Sequence, residues 1–275
     1  MLMRIRKPIP QLSELIDVFW WWKGGPRPHA KERLLPDGAA ALVVNLREDR
    51  SEFYDPVSLS PSLRLPGAII SGPRCEHFVI DTEEQRHVAG VQFKPGGLAT
   101  FIGMPASAVM NRHVALEDVW PRSAALRLRE RLLATADDPA GSLNVMEGAL
   151  LERARSKPAL NPAVPFALRE FSSVPHTRTV ADVTAQIGLS PKRFIDVFRN
   201  EVGLTPKVFC RVRRFQAVLR CIQQGKHVDW AGTALACGYF DQAHFIHDFR
   251  AFSGLNPSVY LEQRTEHLNH VPLRD

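Results

Sequence analysis

Two histidines three residues apart, His244 and His247, are the nearest the chain comes to a metal-ligand pair. The spacing puts both imidazoles toward one side of a helix, but a zinc site needs at least a third protein ligand, and none lies nearby in sequence. His29, His77, His87 and His113 are scattered, without a clustered His-x-His and following Glu. The four cysteines, Cys75, Cys210, Cys221 and Cys237, form no C-x-x-C pair and read as reduced thiols of a cytoplasmic protein. Lys94-Pro95-Gly96-Gly97 is a turn rather than a phosphate loop, because the strand–GxxxxGK[ST]–helix context is missing. No nucleophile–base pair stands out. No catalytic residue, metal or cofactor is therefore expected.

What remains is chemistry for an anionic partner. Between Lys192 and Arg220 stand Lys192, Arg193, Arg199, Lys207, Arg211, Arg213, Arg214 and Arg220 against Asp196 and Glu201. Eight bases against two acids give +6, equal to the formal net charge of +6 for all 275 residues. The rest of the chain is thus close to neutral, and the basic region is local. Arg211, Arg213 and Arg214 read either as a solvated face or as phosphate contacts.

The elements that would position these residues repeat. Ser190-Pro-Lys-Arg-Phe-Ile-Asp-Val-Phe-Arg-Asn-Glu-Val-Gly-Leu-Thr-Pro206 matches Asp241-Gln-Ala-His-Phe-Ile-His-Asp-Phe-Arg-Ala-Phe-Ser-Gly-Leu-Asn-Pro257. Phe194 and Phe245, Phe198 and Phe249, Arg199 and Arg250, Gly203 and Gly254, and Pro206 and Pro257 are each 51 apart. Each segment opens on an N-cap residue, Ser190 or Asp241. Each closes on a glycine that stops a helix and a proline that can start another. Val180 to Ile187 with Gly188-Leu189, and Trp230 to Cys237 with Gly238-Tyr239-Phe240, supply a shorter helix and tight turn before each. Helix, Gly-containing turn and second helix make a helix-turn-helix. Phe194, Val197 and Phe198, and Phe245, Phe249 and Phe252, space as core faces. Pro206 to Gln224 reads as one long helix joining the units.

In such a unit the early exposed side chains of the second helix meet base edges. These are Lys192, Arg193, Ile195, Asp196 and Arg199 in the first unit and Gln242, Ala243, His244 and His247 in the second, with Arg211 on the connecting helix as a phosphate ligand. Gln can read adenine bidentately, and Ile195 or Ala243 can meet a thymine methyl. Asp196 can accept from a cytosine amino group or orient Arg193 or Arg199.

The stretch from Gly238 to Tyr260 resembles the signature segment of the AraC/XylS family of regulators, and the resemblance covers about 175–265. It implies seven helices, two recognition helices entering successive major grooves on one DNA face, and a sequence-specific transcription regulator of the bacterial cytoplasm. Ala243 replaces a common serine, His247 stands where arginine is frequent, and Asp196 occupies a position that often carries a basic residue.

Residues 1–120 carry short apolar runs divided by Pro, Gly and Asp, the pattern of a mainly β unit. Leu35-Pro-Asp-Gly38 with Leu42 to Leu46, Gly72-Pro-Arg74, and Val91 to Gly97 with Phe101-Ile-Gly-Met-Pro105 resemble the sensor-like first domain of a subgroup of AraC-type regulators. That implies a cupin-like fold with no assigned ligand. Asp37, Asn45, Arg74, His77, Gln92 and Lys94 are the polar candidates for a pocket, each also readable as a turn or structural residue. Phe19-Trp20-Trp21-Trp22 reads as core, as a ligand wall or as a membrane anchor.

The expected chain is therefore an α+β two-domain protein. A mainly β cupin-like domain (1–120) leads through a helical linker (121–174) to an all-α domain of two helix-turn-helix units (175–265) and a tail (266–275). The 45% hydrophobic and 23% charged composition suits a globular chain. Met1 to Pro10 lacks the apolar run of a secretory leader, and no run reaches the ~18 residues that span a membrane. The expected partners are double-stranded DNA, RNA polymerase, a small-molecule effector and a second copy of the chain. Two other readings stay open: a DNA-binding adaptor whose first domain binds only protein, and an enzyme carrying a DNA-binding tail.

Overall fold

The computed structural model describes residues 2–154, 160–173, 178–224 and 228–273. Its strands are β1 (Leu2–Arg6), β2 (Ile16–Lys23), β3 (Lys31–Leu34), β4 (Ala40–Asn45), β5 (Ser51–Tyr54), β6 (Pro61–Leu65), β7 (Ala68–Ser71), β8 (Phe78–Asp81), β9 (His87–Phe93), β10 (His113–Ala115) and β11 (His270–Leu273). Its helices are α1 (Ala99–Ile102), α2 (Leu116–Val119), α3 (Arg122–Ala134), α4 (Pro139–Ala154), α5 (Ala163–Ser173), α6 (Val180–Ile187), α7 (Pro191–Val202), α8 (Pro206–Gln224), α9 (Trp230–Ala236), α10 (Gln242–Ser253) and α11 (Pro257–Gln263).

The strands make two antiparallel sheets, ordered β1-β2-β9-β4-β7-β10 and β11-β3-β8-β5-β6. Strand alternation divides the aromatic run of β2 between two jobs. Phe19 and Trp21 are buried in the core that α1, α3 and α4 close over one face of the larger sheet, with Phe93, Phe101, Leu132, Met146 and Leu150. Trp20 and Trp22 point the other way and line a cavity whose walls come from both sheets. The core reading holds for Phe19 and Trp21, while Trp20 and Trp22 are cavity residues. Gly90 is required here: a Cβ on it would lie 2.3 Å from the Trp20 ring.

The expected linker divides physically. Leu128, Leu132, Leu143 and Leu150 belong to the β-domain core. Phe171 of α5 packs with Phe198 and Phe209, in the core of the C-terminal domain. Residues 266–273 of the expected tail are not loose either. Strand β11 pairs with β3, His270 opposite Leu34 and Leu273 opposite Lys31, so this segment extends a sheet of the first domain.

In the C-terminal domain, α5 to α11 are the seven helices of the described residues. Helix α8, 19 residues long, takes part in both apolar cores. Its start packs with α5, α6 and α7 through Phe209. Its later turns pack with α9, α10 and α11 through Phe215, Val218 and Ile222. No helix of the described residues is long and apolar enough to cross a membrane.

Candidate nucleic-acid interface and ligand cavity

Local caps fix where each reading helix begins. The Thr179 side chain accepts from the Asp182 amide while Asp182 accepts from that of Thr179, a reciprocal capping box at α6. Ser190 caps α7 by accepting from the Arg193 amide. Asp241 caps α10, accepting from the His244 amide at 2.7 Å, and Asp229 caps α9. The buried faces are the aromatic ones: Phe194, Val197 and Phe198 on α7, and Phe245, Phe249 and Phe252 on α10.

The opposite faces are open. Lys192, Arg193, Ile195, Asp196 and Arg199 are exposed on α7, and Gln242, Ala243 and His247 are exposed on α10. Lys192, Arg193 and Arg199 carry no ion pair among the described residues. His244 is only half exposed. Its ring sits edge-on to Tyr239 at 5.2 Å, and its Nε2 lies 3.8 Å from Asp248, so part of its role is to hold the turn to the helix. Among the described residues no three metal-ligating side chains gather, at His244 and His247 or elsewhere.

Arg211, Arg213 and Arg214 of α8 turn inward, which alters the expectation for Arg211. Its guanidinium donates to the buried Asp248 carboxylate at 2.6 Å and lies 5.2 Å from the Phe252 ring. Arg211 therefore ties α8 to α10, and its charge is already answered by a carboxylate instead of awaiting a phosphate. Arg214 lies over the Tyr239 ring at 5.4 Å. Arg213 is half-buried, and its charge acts on Asp37 of the β domain. The exposed cations of the basic stretch are Lys192, Arg193, Arg199, Lys207 and Arg220.

Both reading units rest their rear ends on one loop of the β domain. Gly203 and Gly254, which end α7 and α10, have φ of 89° and 68°, a left-handed conformation that a side chain would strain. A Cβ on Gly203 would lie 2.6 Å from Pro73, and one on Gly254 would lie 2.7 Å from the His77 ring. His77 Nδ1 donates to the Phe252 carbonyl at 3.3 Å. Burial, then the charge of Arg33, pulls its pKa down to about 4, so the ring is neutral at physiological pH. Cys75 packs against both helical cores.

The cavity between the sheets has a volume of about 560 Å³, within the range of small-molecule sites. Of the six polar candidates, Asp37, Arg74 and Gln92 line it. The other three do not. Asn45 is consumed in a turn, donating to the Arg50 and Glu84 carbonyls and accepting from the amides of Arg47 and Glu48. His77 belongs to the domain contact just described. Lys94 is absent from the cavity wall, and its backbone amide bonds the Leu15 carbonyl.

Several cavity residues gave no signal in sequence. Glu32 is buried, ion-paired to Arg27 and hydrogen-bonded to His29 at 2.7 Å and to His270 at 2.8 Å. His113, Glu266, His267 and Asn269 also line the space. Asn269 accepts from Gln216 of α8 at 2.9 Å, and the same Gln216 amide donates to the Pro36 carbonyl at 2.8 Å. One cavity thus has walls from both sheets and from the chain end that follows the helical domain.

Residues 183–263 match a family described as a helix-turn-helix domain. The C-terminal domain is an AraC-type helix-turn-helix domain. Residues 4–115, ahead of the AraC-type domain, match a family described only as a domain of unknown function. An uncharacterized HTH-type transcriptional regulator of Haemophilus influenzae is 28% identical over 117 residues, which are 42% of this chain and 38% of that protein. The match therefore spans well under half of the relative's length. An AraC-type regulator from Chromobacterium violaceum superposes with a TM-score of 0.35 at 20% identity, over 38% of this chain and 94% of that one. ToxT of Vibrio cholerae O395 gives 0.45 at 8% identity, over 96% and 99%. Within the AraC-type domain, the positions where this chain departs from common wording, Asp196, Ala243 and His247, are all on the open faces.

Proposed function

We propose that this chain is a sequence-specific DNA-binding regulator of transcription whose β domain responds to a small molecule. The observation that carries the DNA part is a pair of equivalent helices, α7 and α10, each with its leading face free and its trailing glycine seated on the β domain. One helix, α8, joins the two units. At 1.5 Å per residue it is about 28 Å long, on the scale of the ~34 Å between major grooves on one face of the duplex. Lys192, Arg193, Arg199, Lys207 and Arg220 supply phosphate-binding charge. Asp196, Gln242, Ala243 and His247, with Ile195, are the proposed base readers, and His244 contributes from its exposed edge.

Binding to duplex DNA should weaken steeply with salt, with a log–log slope of about −5 if six or so phosphates are neutralised. Titrations at several salt concentrations measure this, and a slope near zero removes the electrostatic half of the reading. Selection of bound duplexes from a random pool gives the operator. On that site Gln242→Ala should cost ~1–3 kcal/mol and relax one base position. An equal loss on every sequence would make Gln242 a positioning contact instead.

The small-molecule part rests on the cavity. It is closed on one side by residues 266–270, which continue from the last helix of the DNA-binding domain. A ligand filling it touches chain segments from both domains, which supplies the differential contact that any effector needs.

A further inference from the structure

The acids around the cavity already have partners. Glu32 has Arg27, His29 and His270. Asp37 accepts from the Ala39 amide at 2.9 Å and from Gln92 Nε2 at 3.1 Å. Arg74 differs. It is 8% exposed, lines the cavity and pairs with no carboxylate among the described residues. Its Nη1 donates to His113 Nε2 at 3.1 Å, its guanidinium lies over the Phe78 ring at 4.3 Å, and its Nε is buried with no acceptor. Burial pushes its pKa down to about 10, so it stays charged at neutral pH.

His113 repeats the pattern. It too is 8% exposed and stacks on Phe53 with ring centroids 3.6 Å apart. Burial, then the Arg74 charge, holds it well below the usual imidazole range, so it is neutral. With Nε2 accepting from Arg74, the ring proton sits on Nδ1, and that nitrogen is also buried without a partner. Arg74 Nε–H and His113 Nδ1–H are both buried without an acceptor, which is costly, and no carboxylate among the described residues answers the charge that Arg74 holds at the cavity wall.

We infer that the Arg74–His113 pair is the anchor for the carboxylate of a small apolar, ring-containing acid that fills the cavity. This rests on the reading of the β domain as an effector site and names the effector's class. The guanidinium offers a single positive charge and a fork that matches a planar carboxylate, and the neutral His113 ring, accepting from Nη1, holds it in place. A dianion such as a phosphate ester would bring a second negative charge into a cavity that Glu32 and Asp37 also line. The walls that would hold the body of the acid are aromatic and branched: Trp20, Trp22, Phe53, Phe78, Ile69 and Ile80. Arg74 lies between two residues on which the reading units rest, Pro73 beneath Gly203 and His77 beneath Gly254. Answering its charge therefore acts on the segment that both units rest on.

The test is calorimetric titration of the full chain with benzoate, phenylacetate and indole-3-acetate, and with the matching primary amides. The expected result is that one or more acids bind and the corresponding amides do not. Arg74→Gln should then weaken the acids about tenfold to hundredfold, with Arg74→Lys retaining part of the affinity. The acid–amide comparison on the parent chain stands even if Arg74→Gln fails to fold. Acids and amides binding alike, or acids binding Arg74→Gln as tightly as the parent, would overturn the anion site and leave the effector reading in place. No binding by either series would overturn both.

Discussion

Replacing Phe249 with alanine is expected to cost about 3–5 kcal/mol of stability and to lower the melting temperature by about 10 °C. Phe249 is fully buried. Its ring meets Phe215 at 5.3 Å, Phe245 at 5.6 Å and Tyr260 at 5.6 Å, all edge-on. These contacts join α8, α10 and α11, so the cavity left by the truncation opens where the second reading helix is fastened to the helix that spaces it from the first. DNA affinity should fall with stability, because this packing, with the Arg211–Asp248 pair and the His77–Phe252 hydrogen bond, holds α10 in place. Phe240 is the internal control. It is 87% exposed in the turn before α10, and Phe240→Ala should change stability by no more than about 0.5 kcal/mol. Thermal and urea unfolding of the two variants measure this directly. A Phe249→Ala chain that melts with the parent would mean that this aromatic cluster does not hold the second unit together.

Phe249 could be read from sequence because its evidence is local. The caps Ser190 and Asp241, the stopping glycines Gly203 and Gly254, and aromatic residues three and four apart all act within one helix or its ends, and the 51-residue offset doubles each signal. The same holds for the exposed faces, which are simply what the aromatic faces leave over. Side-chain direction on α8 is different. Arg211, Arg213 and Arg214 look alike in sequence, and which way each turns depends on Asp248, Asp37 and Tyr239, supplied by other elements. The cavity was legible only in part for the same reason. Asp37, Arg74 and Gln92 were found because they stand in conspicuous motifs. Asn45 and Lys94 stand in similar motifs and serve turns. Glu32 and His113 sit in short strands with nothing local to mark them. The pairing of β11 with β3 joins residues more than two hundred positions apart, and no local pattern announces it.

That long-range pairing makes Glu32→Ala the second large effect, about 3–5 kcal/mol. The Glu32 carboxylate is 2% exposed and joins three side chains: Arg27 and His29 ahead of β3, and His270 at the start of β11. Burial alone would push its pKa up. The hydrogen bond and charge of His270, the hydrogen bond of His29 and the charge of Arg27 outweigh that and hold it at about 2, below the ordinary 4.5. A carboxylate whose pKa is lower in the folded state adds stability that is present above about pH 4.5 and lost as pH falls toward 2. The stability gap between parent and Glu32→Ala should therefore be widest near neutral pH and narrow in acid, which urea unfolding at a series of pH values measures. A gap of constant size would mean that packing, not the charge, accounts for the loss. Hydrogen exchange supplies the structural half. With the carboxylate gone, the non-proline amides of β11 that face β3 should lose protection before the rest of that sheet does. The closing side of the cavity then loosens while the reading helices stay folded, and the effect on DNA affinity measures how strongly the end of the chain couples the two domains.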